Sequence, residues 1–198
     1  MRIDLNSIQS YIATNSHVLD LACGDGKLLL ALKDNKNVTG VGLENDPQHI
    51  TTCIKNGVNV VEHDLNKGLQ HIDRHSYDVV VMTQALQAMQ KPDVILEDML
   101  RIGKECIITF PNFAHWKARW HLLVHGRMPV SDLLPYEWYD TPNIHFCTIK
   151  DFEILCKERH ITVLNKTVVS EKDSFQTLAQ LHPNLFGETA VYHLTRHH

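Results

Sequence analysis

Asp20, Ala22, Gly24 and Gly26 stand two apart in the run Val18-Leu-Asp-Leu-Ala-Cys-Gly-Asp-Gly26. A carboxylate followed by two glycines is a spacing that can receive a ligand, because glycine has no Cβ to obstruct a close approach to the backbone. The helix expected after Gly26 would add unpaired N–H groups at its start. Phosphate-cradling chemistry is excluded. A dinucleotide fingerprint needs a third glycine where Leu29 stands, and a P-loop needs Ser or Thr where Leu28 follows Lys27. Three further positions fall at strand ends. Glu44, 24 positions after Asp20, is a carboxylate able to accept both ribose hydroxyls of a nucleoside. Asp64-Leu65 follows the next apolar stretch, and Gln84 the one after. Each alone has a bland counterpart: a structural turn, a solvated Glu, a capping Asp. In order, each at the carboxyl end of a strand, they describe one nucleoside-type site.

The elements that must position these residues alternate along the chain. A helix over Leu5–Ala13 precedes a strand at His17–Leu21 and a helix through Leu28, Leu29 and Leu32. Asn37–Leu43 is a second strand. Asp46-Pro47 starts a helix through Ile50 and Ile54, and Val58–Val61 is a third strand. Tyr77–Met82 is apolar enough to be a central parallel strand buried on both faces. Asp93–Ile102 has helical spacing with Gly103 as its stop, and Cys106–Phe110 is a fifth strand. Asn112–Cys147 breaks the alternation with a long aromatic segment, in which Trp116, Trp120, Leu123 and Val124 share one helical face; Trp116 and Trp120 are expected to pack into the body, a partner or substrate surface being the alternative. Lys117, Arg119 and Arg127 are expected on a solvated face. A helix after Thr148 and strands at Ile161–Val169 and Ala190–Thr195 close the chain, with a polar loop and one short helix between those strands. The fold class that follows is α/β: a doubly wound, mostly parallel sheet of about seven strands with an antiparallel terminal edge. No linker divides the chain, so residues 1–198 are expected to form one domain.

Composition narrows the partners. The 198 residues carry 19 Lys and Arg against 23 Asp and Glu, a net charge of −4, with no basic stripe. Nucleic acid is therefore not an expected partner. No apolar run approaches the roughly 20 residues that span a bilayer, so no membrane partner is expected. The five scattered cysteines form no C-x-x-C, consistent with a reducing cytoplasmic location. No spacing of metal ligands is present, and no metal is expected.

The Asp20–Gly26 turn resembles motif I of class I S-adenosylmethionine-dependent methyltransferases, with Asp20 in the acidic place, Gly24 and Gly26 as the last two glycines, and Ala22 where a glycine is usual. Asp64-Leu65 matches the position where such proteins hold adenine, and Gln84 lies at the mouth of the same cleft. The longer strings Pro111-Asn-Phe-Ala-His-Trp116 and Trp138-Tyr-Asp-Thr-Pro-Asn-Ile-His145, with Asp64-Leu-Asn-Lys-Gly-Leu69, closely resemble the MetW family of methionine biosynthesis over nearly the whole chain. The resemblance implies a methyltransferase-like fold, S-adenosylmethionine or S-adenosylhomocysteine as cofactor, and homoserine O-acyltransferase as partner. The cofactor residues it implies are Asp20, Ala22, Gly24, Gly26, Glu44, Asp64, Leu65 and Gln84. Residues 112–147 are then a substrate- or partner-facing segment. Two functions remain open: support of the acyltransferase, or catalysed methyl transfer to a small molecule. His115, His145 and Tyr136 each have the chemistry of a general base, and the sequence selects none of them as catalytic.

Overall fold

Seven strands form a single sheet in the order β3-β2-β1-β4-β5-β7-β6. The computed structural model describes residues 3–131, 134–170 and 173–196. In chain order the elements are α1 (Ile3–Tyr11), β1 (His17–Leu21), α2 (Lys27–Lys36), β2 (Thr39–Glu44), α3 (Pro47–Lys55), β3 (Val60–Glu62), β4 (Tyr77–Thr83), α4 (Pro92–Ile102) and β5 (Gly103–Pro111). Then come α5 (Trp116–His125), α6 (Ile149–Glu158), β6 (Thr162–Val169), α7 (Asp173–Leu181), α8 (Pro183–Phe186) and β7 (Thr189–Thr195). Strands β1 to β5 run parallel, while β7 is antiparallel to both β5 and β6. The chain winds from β1 outward to β3, then crosses back to β4 on the other side of β1. The carboxyl ends of β1 and β4 therefore flank a switch point, where a crevice opens.

Alternation along the strands divides the core between the two faces. Val18, Val79, Val81 and Ile107 point to one face and pack with Ile8, Leu28, Leu29, Leu32 and Cys53 from α1, α2 and α3. Leu19, Val80, Met82 and Ile108 point to the other and meet Leu96, Met99, Phe152 and Cys156 from α4 and α6. With Val79 to Met82 buried, each side chain contributes about 1.5–3 kcal/mol of transfer free energy. This is why β4 reads as an unbroken apolar run.

Local signals set most helix ends. Asp46 accepts from the Gln48 N–H at 2.7 Å with Pro47 in the first turn. Thr148 and Asp151 form a reciprocal capping box on α6. Other boundaries differ from the sequence expectation. Asn37 is in the left-handed region at φ 53 and ends α2, so β2 begins at Thr39 rather than Asn37. Asn56 and Gly57, the latter at φ 71, hold the chain in a turn, and β3 covers only Val60–Glu62. Gly103 is no left-handed stop, since its φ is −94. The chain passes straight from α4 into β5, and glycine is required because a Cβ would lie 2.7 Å from the Glu105 carbonyl and 2.8 Å from Val80. Between the last two strands lie two helices, α7 and α8, not one.

Candidate functional site

The turn between β1 and α2 is built on a chain of left-handed residues. Ala22 has φ 54, Gly24 φ 56 and Gly26 φ 75. An L-residue at Ala22 in that region costs about 1–2 kcal/mol, which is the local cost of alanine where glycine is the usual occupant. At Gly24 a Cβ would meet no atom within 4 Å, so the backbone there faces open space that a ligand can occupy. Gly42 on β2 is needed for a different reason: a Cβ would come within 2.4 Å of the Cys23 sulfur, and its absence lets the turn settle onto the sheet. Cys23 and Cys53 meet there, sulfur to sulfur, at 4.0 Å.

Glu44, at the end of β2, reaches back to this turn. Its Oε2 accepts from the Gly24 N–H at 2.8 Å, and its Oε1 accepts from Asn45 N–H at 2.9 Å and Asp46 N–H at 3.0 Å. The carboxylate is buried, yet its two oxygens retain acceptor capacity beyond these three bonds. It thus ties the glycine turn to the β2–α3 turn and keeps a ligand-facing function available.

Asp20 is the unusual residue. It lies opposite Gly42 and Val81 in the parallel register, is 1% exposed, and its Oδ1 has no hydrogen-bond partner among the described residues. Burial, and secondarily the neighbouring Glu44 charge, pushes its pKa up to about 8. A buried, unpaired acceptor of this kind is costly unless something arrives to satisfy it.

The remaining expected residues lie on the same rim. Asp64 follows β3 and caps a single 3-10 turn, Leu65–Lys67, by accepting from the Asn66 N–H at 3.0 Å; Leu65 is buried behind it. Here Asp64 does serve as a capping residue. Gln84 follows β4 with φ 53, its N–H donating to the Thr109 carbonyl at 2.9 Å and Oγ1 at 3.1 Å. Ala22 and Gln84 are therefore two non-glycine left-handed residues flanking the β1/β4 crevice. Strain of this sort is held where the surrounding structure fixes it.

Sequence reasoning missed Thr109 and Gln87. Thr109 is an inward residue within an apolar strand. Gln87 lies in the turn after β4, is buried, donates from Nε2 to the Pro111 carbonyl at 3.1 Å, and accepts at its own carbonyl from the His145 N–H at 3.0 Å. Phe113 N–H also donates to the Cys147 carbonyl at 3.1 Å. These bonds fasten both ends of the 112–147 segment beside the strand termini. A lone Gln in a short polar turn carries no sequence signal for that role.

The three candidate bases separate. His115 is buried beside Glu188, 3.9 Å from Nε2 to Oε1, and burial holds its imidazole pKa below the ordinary value. His145 and Tyr136 are exposed. One expectation fails outright. The face of α5 does not pack into the body: Trp120 is 60% exposed and Leu123 78%. The helix buries only Ala118, with His121 and Leu122 half-buried on the same side; Lys117 reaches Glu188 at 3.5 Å and Arg119 the Ala114 carbonyl at 2.5 Å. Lys117, Arg119 and Arg127 are exposed, as expected of a solvated face.

The model of the family described as methionine biosynthesis protein MetW matches residues 2–194. The chain belongs to the MetW family. A curated relative, the bifunctional methionine biosynthesis protein MetXA/MetW of Rhodopirellula baltica, is 34% identical over 201 residues, covering 96% of this chain and 32% of the relative. The chain thus spans about a third of the length of the curated relative it matches. Among solved structures, a SAM-dependent methyltransferase from Archaeoglobus fulgidus superposes with TM-score 0.70 at 14% identity, covering 98% of this chain and 91% of the other. Phosphoethanolamine N-methyltransferase 2 of Haemonchus contortus, in complex with S-adenosyl-L-methionine, gives TM-score 0.70 at 10% identity over 99% of this chain and 52% of the other. These likenesses establish that this MetW-family chain has the α/β fold of class I methyltransferases. No described helix is long and apolar enough to cross a membrane.

Proposed function

We propose that the chain binds S-adenosylmethionine, or its demethylated product, in the β1/β4 crevice and supports homoserine O-acyltransferase as a partner protein. The observation that carries the ligand reading is the buried, unpartnered Asp20 Oδ1 beside open space at Gly24. A ligand with an ammonium group satisfies that oxygen, and one with a nucleoside end uses the remaining acceptor capacity of Glu44. Asp64 and Leu65, at the carboxyl end of β3, would border the adenine. Gly24 leaves the backbone open to the ligand, Gly26 lets the turn close on Cys53 and Val58, where a Cβ would lie 3.0 Å from each, and Ala22 and Gln84 shape the rim. The bound molecule would supply an activated methyl group on a sulfonium. The side chains here bind and orient, and positioning alone accounts for much of the acceleration in an in-line methyl displacement.

The partner reading rests on the family and on the relative whose name joins a MetXA unit to a MetW unit in one chain. About two thirds of that relative lies outside the match, room for a second folded unit. Co-purification with the acyltransferase, and its assay with and without this protein, tests the reading: the expected result is a stable complex and higher acyltransferase activity. Unchanged activity and separate elution would refute it.

A second reading, catalysed methyl transfer to a small molecule, draws on His115. Its buried imidazole is held neutral near pH 7 just past the carboxyl end of β5, where it is able to accept a proton. Formation of S-adenosylhomocysteine from S-adenosylmethionine and a panel of acceptors distinguishes this reading from the first.

A further inference from the structure

Helix α5 turns an apolar stripe to solvent. Trp116, Trp120, Leu123 and Val124 recur at i, i+4, i+7 and i+8, a stripe that ordinarily turns toward a core. Here they are 37, 60, 78 and 54% exposed. Ala118, His121 and Leu122 take the inner side of the helix, while Lys117 and Arg119, both exposed, bond at its edge to Glu188, Ala114 and Asn184, and the apolar stripe faces solvent. With a Trp side chain amounting to some 250 Å², the four together expose about 450 Å², within the range of the largest patches on monomers, which are often functional. Trp138 and Tyr139, each 71% exposed, lie in the loop that follows. That loop packs against Phe113 and Met128-Pro129, next to the two ends of α5.

We infer that this outward face of α5 is the docking surface for a second folded protein, one whose facing surface is apolar at its centre and bears carboxylates at its rim. The inference rests on the partner reading above and locates that partner on the fold. Charge identifies the occupant. Residues 112–131 carry Lys117, Arg119 and Arg127 and no carboxylate, in a chain of net charge −4. A second copy related by a two-fold axis would set these cations against their own counterparts, whereas a carboxylate-rimmed partner meets them favourably. Trp and Arg are also the residue types that dominate protein interfaces.

The test uses the full chain and purified homoserine O-acyltransferase, with affinity measured for wild type, Trp120→Glu, Leu123→Glu and, as a control on an exposed apolar residue of another helix, Ile154→Glu. Because Trp120 and Leu123 are exposed, melting temperatures should stay at the wild-type value. The expected result is at least a hundredfold loss of affinity for Trp120→Glu and Leu123→Glu, with Ile154→Glu unchanged and wild-type binding weakened by salt. Wild-type binding that survives both α5 substitutions overturns the docking surface and leaves the functional reading standing. No binding by wild type removes the functional reading and the docking surface together. Dimers of the chain alone that Trp120→Glu dissociates, or binding to phosphatidylglycerol vesicles that it abolishes, would assign the face to a second copy or a membrane and overturn the proposal.

Discussion

The β1/β4 crevice and the α5 segment break the inside–outside rule in opposite directions. In the crevice, Asp20 and Glu44 are polar groups buried among apolar strands. On α5, two tryptophans and a leucine are apolar groups left in water. A buried carboxyl without a donor asks for a small, complementary molecule that brings one. An exposed apolar stripe asks for area, which a macromolecule supplies and a small ligand does not. The two regions are separate in sequence, and the Gln87 bonds to Pro111 and His145 tie the turn after β4 to the segment that carries α5.

The largest effect is expected at Glu44. Glu44→Ala removes the acceptor for three backbone N–H groups and the carboxylate proposed for the ribose hydroxyls. Two charge-assisted bonds lost at about 1.5–3 kcal/mol each would weaken S-adenosylmethionine binding by more than about a hundredfold, measured by calorimetry on the folded variant. Unchanged affinity would break the assignment of the crevice as a ligand site.

Next comes Asp20→Asn, which separates stability from binding. With its pKa raised to about 8, Asp20 holds a proton in the folded state that the unfolded chain releases near pH 4. Wild-type stability therefore falls as pH rises from about 4 to 8, and the loss is complete above 8. The amide does not titrate, so Asp20→Asn should exceed wild type by more than about 2 kcal/mol at pH 8 and show no such gain near pH 4, while binding S-adenosylmethionine more weakly. Denaturant titrations at both pH values check this. An equal difference at the two pH values would show that Asp20 is not the group responsible.

A smaller effect sharpens the coupling between regions. If the ligand alters partner affinity tenfold, the partner must alter ligand affinity tenfold, about 1.4 kcal/mol. Titrating S-adenosylmethionine into the chain alone and into its complex with the acyltransferase reads this directly. Identical dissociation constants would make the two regions independent. The smallest expected change is Ala22→Gly, which relieves a left-handed alanine and should stabilise the fold by about 0.5–1 kcal/mol after the added freedom of the unfolded chain is counted. A decrease in stability would show that the turn is not strained.

The strand–helix alternation, the apolar run of β4, the Asp46-Pro47 start and the Thr148–Asp151 cap were legible because each is a local pattern whose period or cap chemistry involves neighbours in sequence. The left-handed turn was legible in part: Gly24 and Gly26 announce it, whereas Ala22 and Gln84 adopt φ near 54 and 53 only because neighbouring strands hold them there. Asp20 and Glu44 were visible as carboxylates at strand ends, but not that one would be unpaired and the other bound by three N–H groups. Those states depend on which strands lie side by side, Asp20 opposite Gly42 and Val81. The orientation of α5 was not legible, since helical spacing defines a face but not its direction. Sequence determined that Trp116, Trp120, Leu123 and Val124 lie together. Only the tertiary placement of the helix, with Ala118 inward and Lys117 and Arg119 reaching Glu188 and Asn184, decided that they face water, because those partners are brought to the helix by the packing of a distant segment.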